Sequence, residues 1–174
     1  PRVAVAAISF SKSVVLREEL ERVFPNSHFN EKGHRFSEIE LIEFLNDADA
    51  AVIGIESITD QVLSKTPHLK IVSKYGVGLD RIDQKSLERR NIVLGWTGGV
   101  NRRSVAELTL CFMLGLYRNV FTSGYSLKQS KWEKNGGAQL SGKTVGIIGC
   151  GHVGSDVIKL LEPLECNILV CDIL

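Results

Sequence analysis

The sequence predicts an α/β chain with parallel strands, and two observations carry that reading. Short apolar, β-branched runs alternate with amphipathic stretches almost from end to end, the pattern of repeated strand–helix units. One of these runs leads directly into a glycine-rich turn that opens a helix. Hydrophobic residues make up 44% and charged residues 24% of the 174 residues, a globular composition that excludes a disordered or fibrous chain. Lys and Arg number 21 against 20 acids, a net charge of +1. That balance gives no electrostatic reason to expect nucleic acid or an anionic membrane as partner.

Val3 to Ile8 is a β-branched and Ala-rich run that fits a buried strand. Leu16, Leu20 and Val23 recur at helical spacing and stop before Pro25. Ser37 and Glu40 have the spacing of a capping box, with Ile39, Leu41, Ile42 and Leu45 as the apolar face behind it. Ala51 to Ile55 is a second strand, and Asp60 to Lys65 a short helix stopped by Pro67. Leu69 to Val72 is a third strand, Asp83 caps a helix through Arg90, and Ile92 to Leu94 is a fourth strand.

Gly95 to Arg103 has neither strand nor helix period and reads as a hinge between two domains. Ser104 and Glu107 have capping-box spacing again and open a long apolar helix from Val105 to about Val120. Apolarity on all sides implies burial between domains or subunits. Thr144 to Ile148 is a strand, Val153 to Leu161 its helix, and Ile168 to Cys171 the next strand. The longest apolar stretch, Leu108 to Leu116, is interrupted by Thr109 and Gly115 and falls far short of the ~20 residues of a spanning helix.

Gly149-Cys150-Gly151-His152-Val153-Gly154 has the form GxGxxG, follows the Thr144 strand and opens a helix. Gly149 permits the tight turn, Gly151 lets backbone approach a pyrophosphate, and Gly154 lets helix and strand pack closely. The helix N-terminus offers unpaired N–H groups and partial positive charge to phosphates. Asp172 ends the next strand eighteen residues past Gly154. A carboxylate there accepts hydrogen bonds from the ribose hydroxyls of NAD and repels the 2′-phosphate of NADP. His152 and Val153 fill the variable positions of the turn, where His152 is either a contact to the pyrophosphate or a freely variable residue. Lys74 to Asp83 follows a strand and precedes a helix, with Gly76 and Gly78 two residues apart. Its backbone N–H groups suit a carboxylate, but the same spacing also suits an ordinary turn.

With these motifs the chain resembles the D-isomer-specific 2-hydroxyacid dehydrogenases, the family of D-3-phosphoglycerate dehydrogenase, hydroxypyruvate reductase and formate dehydrogenase. The resemblance rests on Leu69 to Val72 leading into Gly76 to Asp83, on Asn101 to Thr109, and on Leu140 to Gly149, in family order and spacing. It implies a flavodoxin-like substrate domain over 1–99, then the first part of a Rossmann domain over 100–174 that binds NAD, with a cleft between them. It also implies that the backbone N–H groups of Val77 and Gly78 hold the substrate carboxylate, facing the glycine turn across that cleft. Thr109 matches a position near the nicotinamide.

The activity implied is hydride transfer between NAD and a small D-2-hydroxy or 2-keto acid, in a cytoplasmic homodimer joined through the cofactor domain. The family fold also includes transcriptional corepressors, so a non-catalytic, NAD-responsive binding protein is the alternative. The family's catalytic Arg, Glu and His lie downstream of the fingerprint, outside these 174 residues, and the fragment is expected to be inactive. Residues 104–174 are expected to pair with another chain or to be loosely ordered, since two strands leave both sheet edges open. Members acting on phosphoglycerate carry a basic residue where this chain has Glu56, which argues against a phosphorylated substrate.

No signal peptide precedes Pro1, and a start without Met suggests a processed or otherwise defined end. Cys111, Cys150, Cys166 and Cys171 have no CxxC or His-paired spacing and read as reduced core thiols, with no metal site. His28, His34 and His68 read as solvated, and Trp132 as a packing anchor. Arg102 and Arg103 are either a solvated basic pair or a reach toward a substrate anion.

Overall fold

The computed structural model describes residues 1–134 and 136–173. Its contacts divide the chain into two units, Pro1–Thr97 and one that begins at Gly98.

The first unit is a five-stranded parallel sheet in the order β2-β1-β3-β4-β5, formed by β1 (Val3–Val5), β2 (His28–Phe29), β3 (Ala50–Ile53), β4 (Ile71–Lys74) and β5 (Val93–Gly95). This is the flavodoxin-like order, with its switch point between β1 and β3. Alternation along β1 sorts its side chains to two faces. Val3 and Val5 join Phe29 and Val52 on one side, and Ala4 joins Leu41, Leu45, Ile53 and Val62 on the other. All three β1 residues are buried, as expected of a strand covered on both faces by crossover helices. Those helices are α2 (Val14–Val23), α3 (Glu38–Leu45), α4 (Asp60–Lys65) and α5 (Gln84–Arg89), with a single turn, α1 (Ile8–Ser11), before them.

Local chemistry sets the helix starts. Ser37 accepts the Glu40 N–H while the Glu40 carboxylate accepts the Ser37 N–H, a complete capping box. Thr59 caps α4 and Asp83 caps α5. The hydrogen bond from the Ser86 hydroxyl holds the Asp83 carboxyl below its ordinary value, with the Ser86 backbone N–H second.

Several details differ from the sequence reading. β1 ends at Val5 and Ile8 already opens α1: the Ala6 and Ala7 N–H groups both converge on the Val52 carbonyl, and the Asn30 side chain takes the Ala6 carbonyl, so the regular ladder stops there. His28 is not a free solvated side chain: it lies half-buried on β2, its Nε2 is 2.9 Å from the Phe44 carbonyl, and its ring packs at a tilt against Phe44 with centroids 4.6 Å apart.

The second unit holds α6 (Arg102–Tyr117), α7 (Val120–Lys128), β6 (Thr144–Ile148), α8 (His152–Leu161) and β7 (Asn167–Cys171). β6 and β7 pair in parallel over five residues, Thr144↔Asn167 to Ile148↔Cys171. This is the first βαβ unit of a Rossmann fold. Its core is Ala106, Leu140, Val145, Val157 and Leu161.

The Ser104–Glu107 capping box is not formed: Asn101 is the N-cap without a side-chain bond, and the helix begins one turn earlier than its spacing implied. No residue from Asn101 to Arg103 breaks a helix, and the Arg102 N–H turns back to the Gly99 carbonyl at 3.1 Å. Nor is the apolar stretch one helix. Asn119 adopts a left-handed φ of 53° and separates α6 from α7, a conformation asparagine tolerates. Trp132 is 78% exposed and anchors nothing among the described residues, because the segment around it has no regular structure to pack on. Cys111 and Cys171 are exposed, so they are not core thiols. Among the described residues no helix is long and apolar enough to cross a membrane.

Candidate functional site

Each unit carries one of the motifs at the C-terminal end of a parallel strand, where ligands of open α/β sheets bind.

In the second unit the glycines do different work. Gly149 has φ +90°, which other residues rarely adopt, and its N–H donates to the Cys171 carbonyl at 2.8 Å, closing the turn on β7. A Cβ on Gly154 would lie 2.1 Å from the Gly149 carbonyl oxygen and 3.3 Å from Ile147, so α8 reaches the turn only because this residue has no side chain. Gly151, the N-cap of α8, has nothing within 4 Å of a built Cβ. It faces open space. Among the described residues the N–H groups of Gly151, His152, Val153 and Gly154 donate to no protein acceptor, as expected at a helix start.

Asp172 stands against this turn: its carboxylate accepts the Cys150 N–H, and its other oxygen accepts the Ile173 N–H at 2.6 Å. The Val153 side chain packs partly into the core, so only its backbone is available to a ligand. The His152 ring occupies the space beside Gly99, where a Cβ would meet it at 2.6 Å. Thr109 is on α6 and its hydroxyl donates to the Val105 carbonyl at 2.8 Å.

The two arginines at the start of α6 separate in role. Arg103 Nε and Nη2 each lie 3.1 Å from a carboxylate oxygen of Asp156, a residue of α8 that is only 5% exposed. Arg103 therefore neutralises a buried acid and ties α6 to α8. Its side chain stays half exposed, but its charge is paired.

In the first unit the loop after β4 runs from Tyr75 to Asp80. Its start is fixed by the Tyr75 N–H on the Ile53 carbonyl at 2.8 Å and by the Tyr75 ring, edge-on to Phe10 at 5.4 Å. Lys74 Nζ donates to the Gly54 carbonyl. Trp96 Nε1 donates to the Val77 carbonyl at 3.0 Å, which pins the loop from the far side. Among the described residues the N–H groups of Gly76, Val77 and Gly78 have no acceptor. Gly76 has φ +131°, so it is the glycine this loop requires conformationally, a position the spacing did not single out. Gly78 has ordinary φ, and a Cβ there would meet only the Asp80 carboxylate, at 3.0 Å.

Residues 10–144 match the family described as D-isomer specific 2-hydroxyacid dehydrogenase, catalytic domain. The chain is 35% identical over 136 residues to the D-3-phosphoglycerate dehydrogenase of Methanocaldococcus jannaschii, covering 76% of this chain and 26% of that protein. It is 36% identical over 136 residues to the hydroxypyruvate reductase of Thermotoga maritima, covering 76% and 44%. Its fold matches that of the cofactor (NAD+)-bound 3-phosphoglycerate dehydrogenase of Entamoeba histolytica with a TM-score of 0.78 at 26% identity, over 99% of this chain and 54% of that one. The chain belongs to the D-isomer-specific 2-hydroxyacid dehydrogenase family. It spans between a quarter and a half of the length of those two curated relatives.

Proposed function

We propose that the protein carrying this chain transfers a hydride between NAD and C2 of a small D-2-hydroxy acid or its 2-keto form. The observation that carries the reading is a pair of undonated backbone N–H clusters, Gly76 to Gly78 and Gly151 to Gly154, each at the end of a parallel strand.

The residues present fit a dinucleotide. Gly151 leaves room for a pyrophosphate against the start of α8, whose N–H groups and dipole favour its charge. Asp172 is held beside the same turn, where it accepts ribose hydroxyls and disfavours a 2′-phosphate. NAD supplies the hydride chemistry when bound. The Val77 and Gly78 N–H groups hold the substrate carboxylate in a loop kept in shape by Lys74, Tyr75 and Trp96. On this reading residues 1–99 are the substrate domain, and 100–174 begin the cofactor domain with Thr109 beside the nicotinamide. Leu108, Phe112 and Leu116 of α6 and Phe121 and Tyr125 of α7 are exposed. A patch of this kind marks an interface, and a second copy of the chain covers it. The four free thiols suit a reducing cytoplasm.

Gly78→Val tests the carboxylate loop. The backbone φ is ordinary and the only close atom belongs to a mobile side chain, so the variant folds. It should raise KM for the hydroxy acid about tenfold or more with NAD affinity nearly unchanged. Unchanged kinetics in the folded variant would reduce the loop to an ordinary turn.

A further inference from the structure

Among the described residues, Gly76 to Gly78 take part in a single hydrogen bond, and it arrives from nineteen residues away. The donor is Trp96 Nε1, 3.0 Å from the Val77 carbonyl. The sheet register brings it there. β4 and β5 pair as Ile71↔Val93, Val72↔Leu94 and Ser73↔Gly95. Trp96 therefore leaves β5 one residue past the last pair, alongside the strand from which the loop departs.

This bond fixes more than the shape of the loop. The Val77–Gly78 peptide is trans, and in a trans peptide the carbonyl and the following N–H point in opposite directions. With the Val77 carbonyl turned to the indole, the Gly78 N–H faces the other way, where no protein group among the described residues accepts it. A hydrogen bond at the carbonyl also polarises the peptide unit and strengthens its N–H as a donor.

The same peptide has an alternative. Glycine enters the positive-φ region at no steric cost, so rotation about Val77 ψ and Gly78 φ can turn the plane over while the flanking chain stays in place. A plane turned over puts the carbonyl oxygen where the N–H was. An anion then meets a dipole of the wrong sign, in a place where a like charge is already close: a Cβ on Gly78 would lie 3.0 Å from Oδ1 of the exposed Asp80. Lys74 does not offset this, since its ammonium is engaged by the Gly54 carbonyl.

We propose that Trp96 is a positioning residue for substrate binding: its indole N–H selects the peptide orientation that offers the Gly78 N–H, and not the Val77 carbonyl, to the anion of the ligand. This rests on the reading of the Gly76–Gly78 loop as the carboxylate site. Trp96 touches no reacting atom on this account. It acts through one peptide plane.

The test uses the protein at its natural full length with NADH present, and oxamate, an unreactive analogue of a 2-keto acid, as probe. Binding is followed by NMR through isotopically labelled tryptophan and glycine. Trp132, 78% exposed and in the other unit, is the internal control. Oxamate should move the Gly78 amide and the Trp96 indole signal together and leave Trp132 unmoved. Trp96→Phe keeps an aromatic ring at a position that is 45% exposed, so it removes the donor with little loss of packing. It should weaken oxamate about tenfold and raise KM for hydroxypyruvate by a similar factor, with kcat within about twofold and NADH affinity unchanged. Oxamate affinity in the folded variant within about twofold of the wild type would overturn the proposal and leave the carboxylate reading standing. So would a wild-type Trp96 signal that ignores oxamate while the Gly78 amide responds, whatever the variant does. A wild-type Gly78 amide that ignores oxamate would overturn both.

Discussion

Adding one methyl group at Gly154 is expected to destabilise the second unit by about 3 kcal/mol, near the upper end of ordinary overpacking costs. The atom it meets, at 2.1 Å, is the backbone carbonyl oxygen of Gly149, which cannot rotate away as a side chain can. Relief requires α8 to move off the turn, which loosens Val157 and Leu161 from the core they share with Ala106 and Val145. The same methyl group at Gly151 meets nothing. Gly151→Ala should cost no more than about 1 kcal/mol, the cost of alanine at an N-cap, and weaken NAD at least about tenfold, because the lost space faces the proposed ligand. Thermal unfolding with NAD titration separates the two. Equal stability for both variants would mean that the glycines are not divided between packing and binding.

Arg103→Ala is expected to cost about 2 kcal/mol, below the full range for a broken buried pair because the arginine itself is half exposed. The loss comes from leaving the Asp156 carboxylate, 5% exposed, without its counter-charge. Arg102→Ala should change stability by no more than about 0.5 kcal/mol, as an exposed substitution without such a partner. Replacing Arg103 and Asp156 together by Met and Leu should restore most of the loss, since the burial penalty then disappears with the acid. Chemical denaturation of the three variants measures this. A double variant no more stable than Arg103→Ala would show that the pair does more than neutralise a buried charge.

What was legible in the sequence was decided by local chemistry. The bounds of α4 and β6 follow from residues adjacent in sequence: a threonine cap and a proline stop in one case, and a β-branched run closed by glycine in the other. The Ser37–Glu40 box formed because nothing upstream competes with it. The identical spacing at Ser104 and Glu107 failed because Asn101 to Arg103 are free to be helical, and Arg103 gains Asp156 by being so.

β2 is two residues long and exists through its pairing with β1, Ala4↔His28 and Val5↔Phe29, a contact no local pattern encodes. Of the Gly76–Gly78 loop, the sequence showed the glycines and not their conformations. Gly76 carries the positive φ, while Trp96 supports the loop from nineteen residues away. The Arg103–Asp156 pair spans fifty-three residues.

The central claim is that the Gly149–Gly154 turn with Asp172 is a site for NAD. Fluorescence titration of NADH and NADPH against the protein at its natural full length tests it most directly. The Asp172 carboxylate lies beside the turn, where it accepts the Cys150 and Ile173 N–H groups, so a 2′-phosphate there meets like charge. NADH should bind at least about tenfold tighter than NADPH, a difference of roughly 1.4 kcal/mol. NADPH binding as tightly as NADH, or neither binding, would contradict the account.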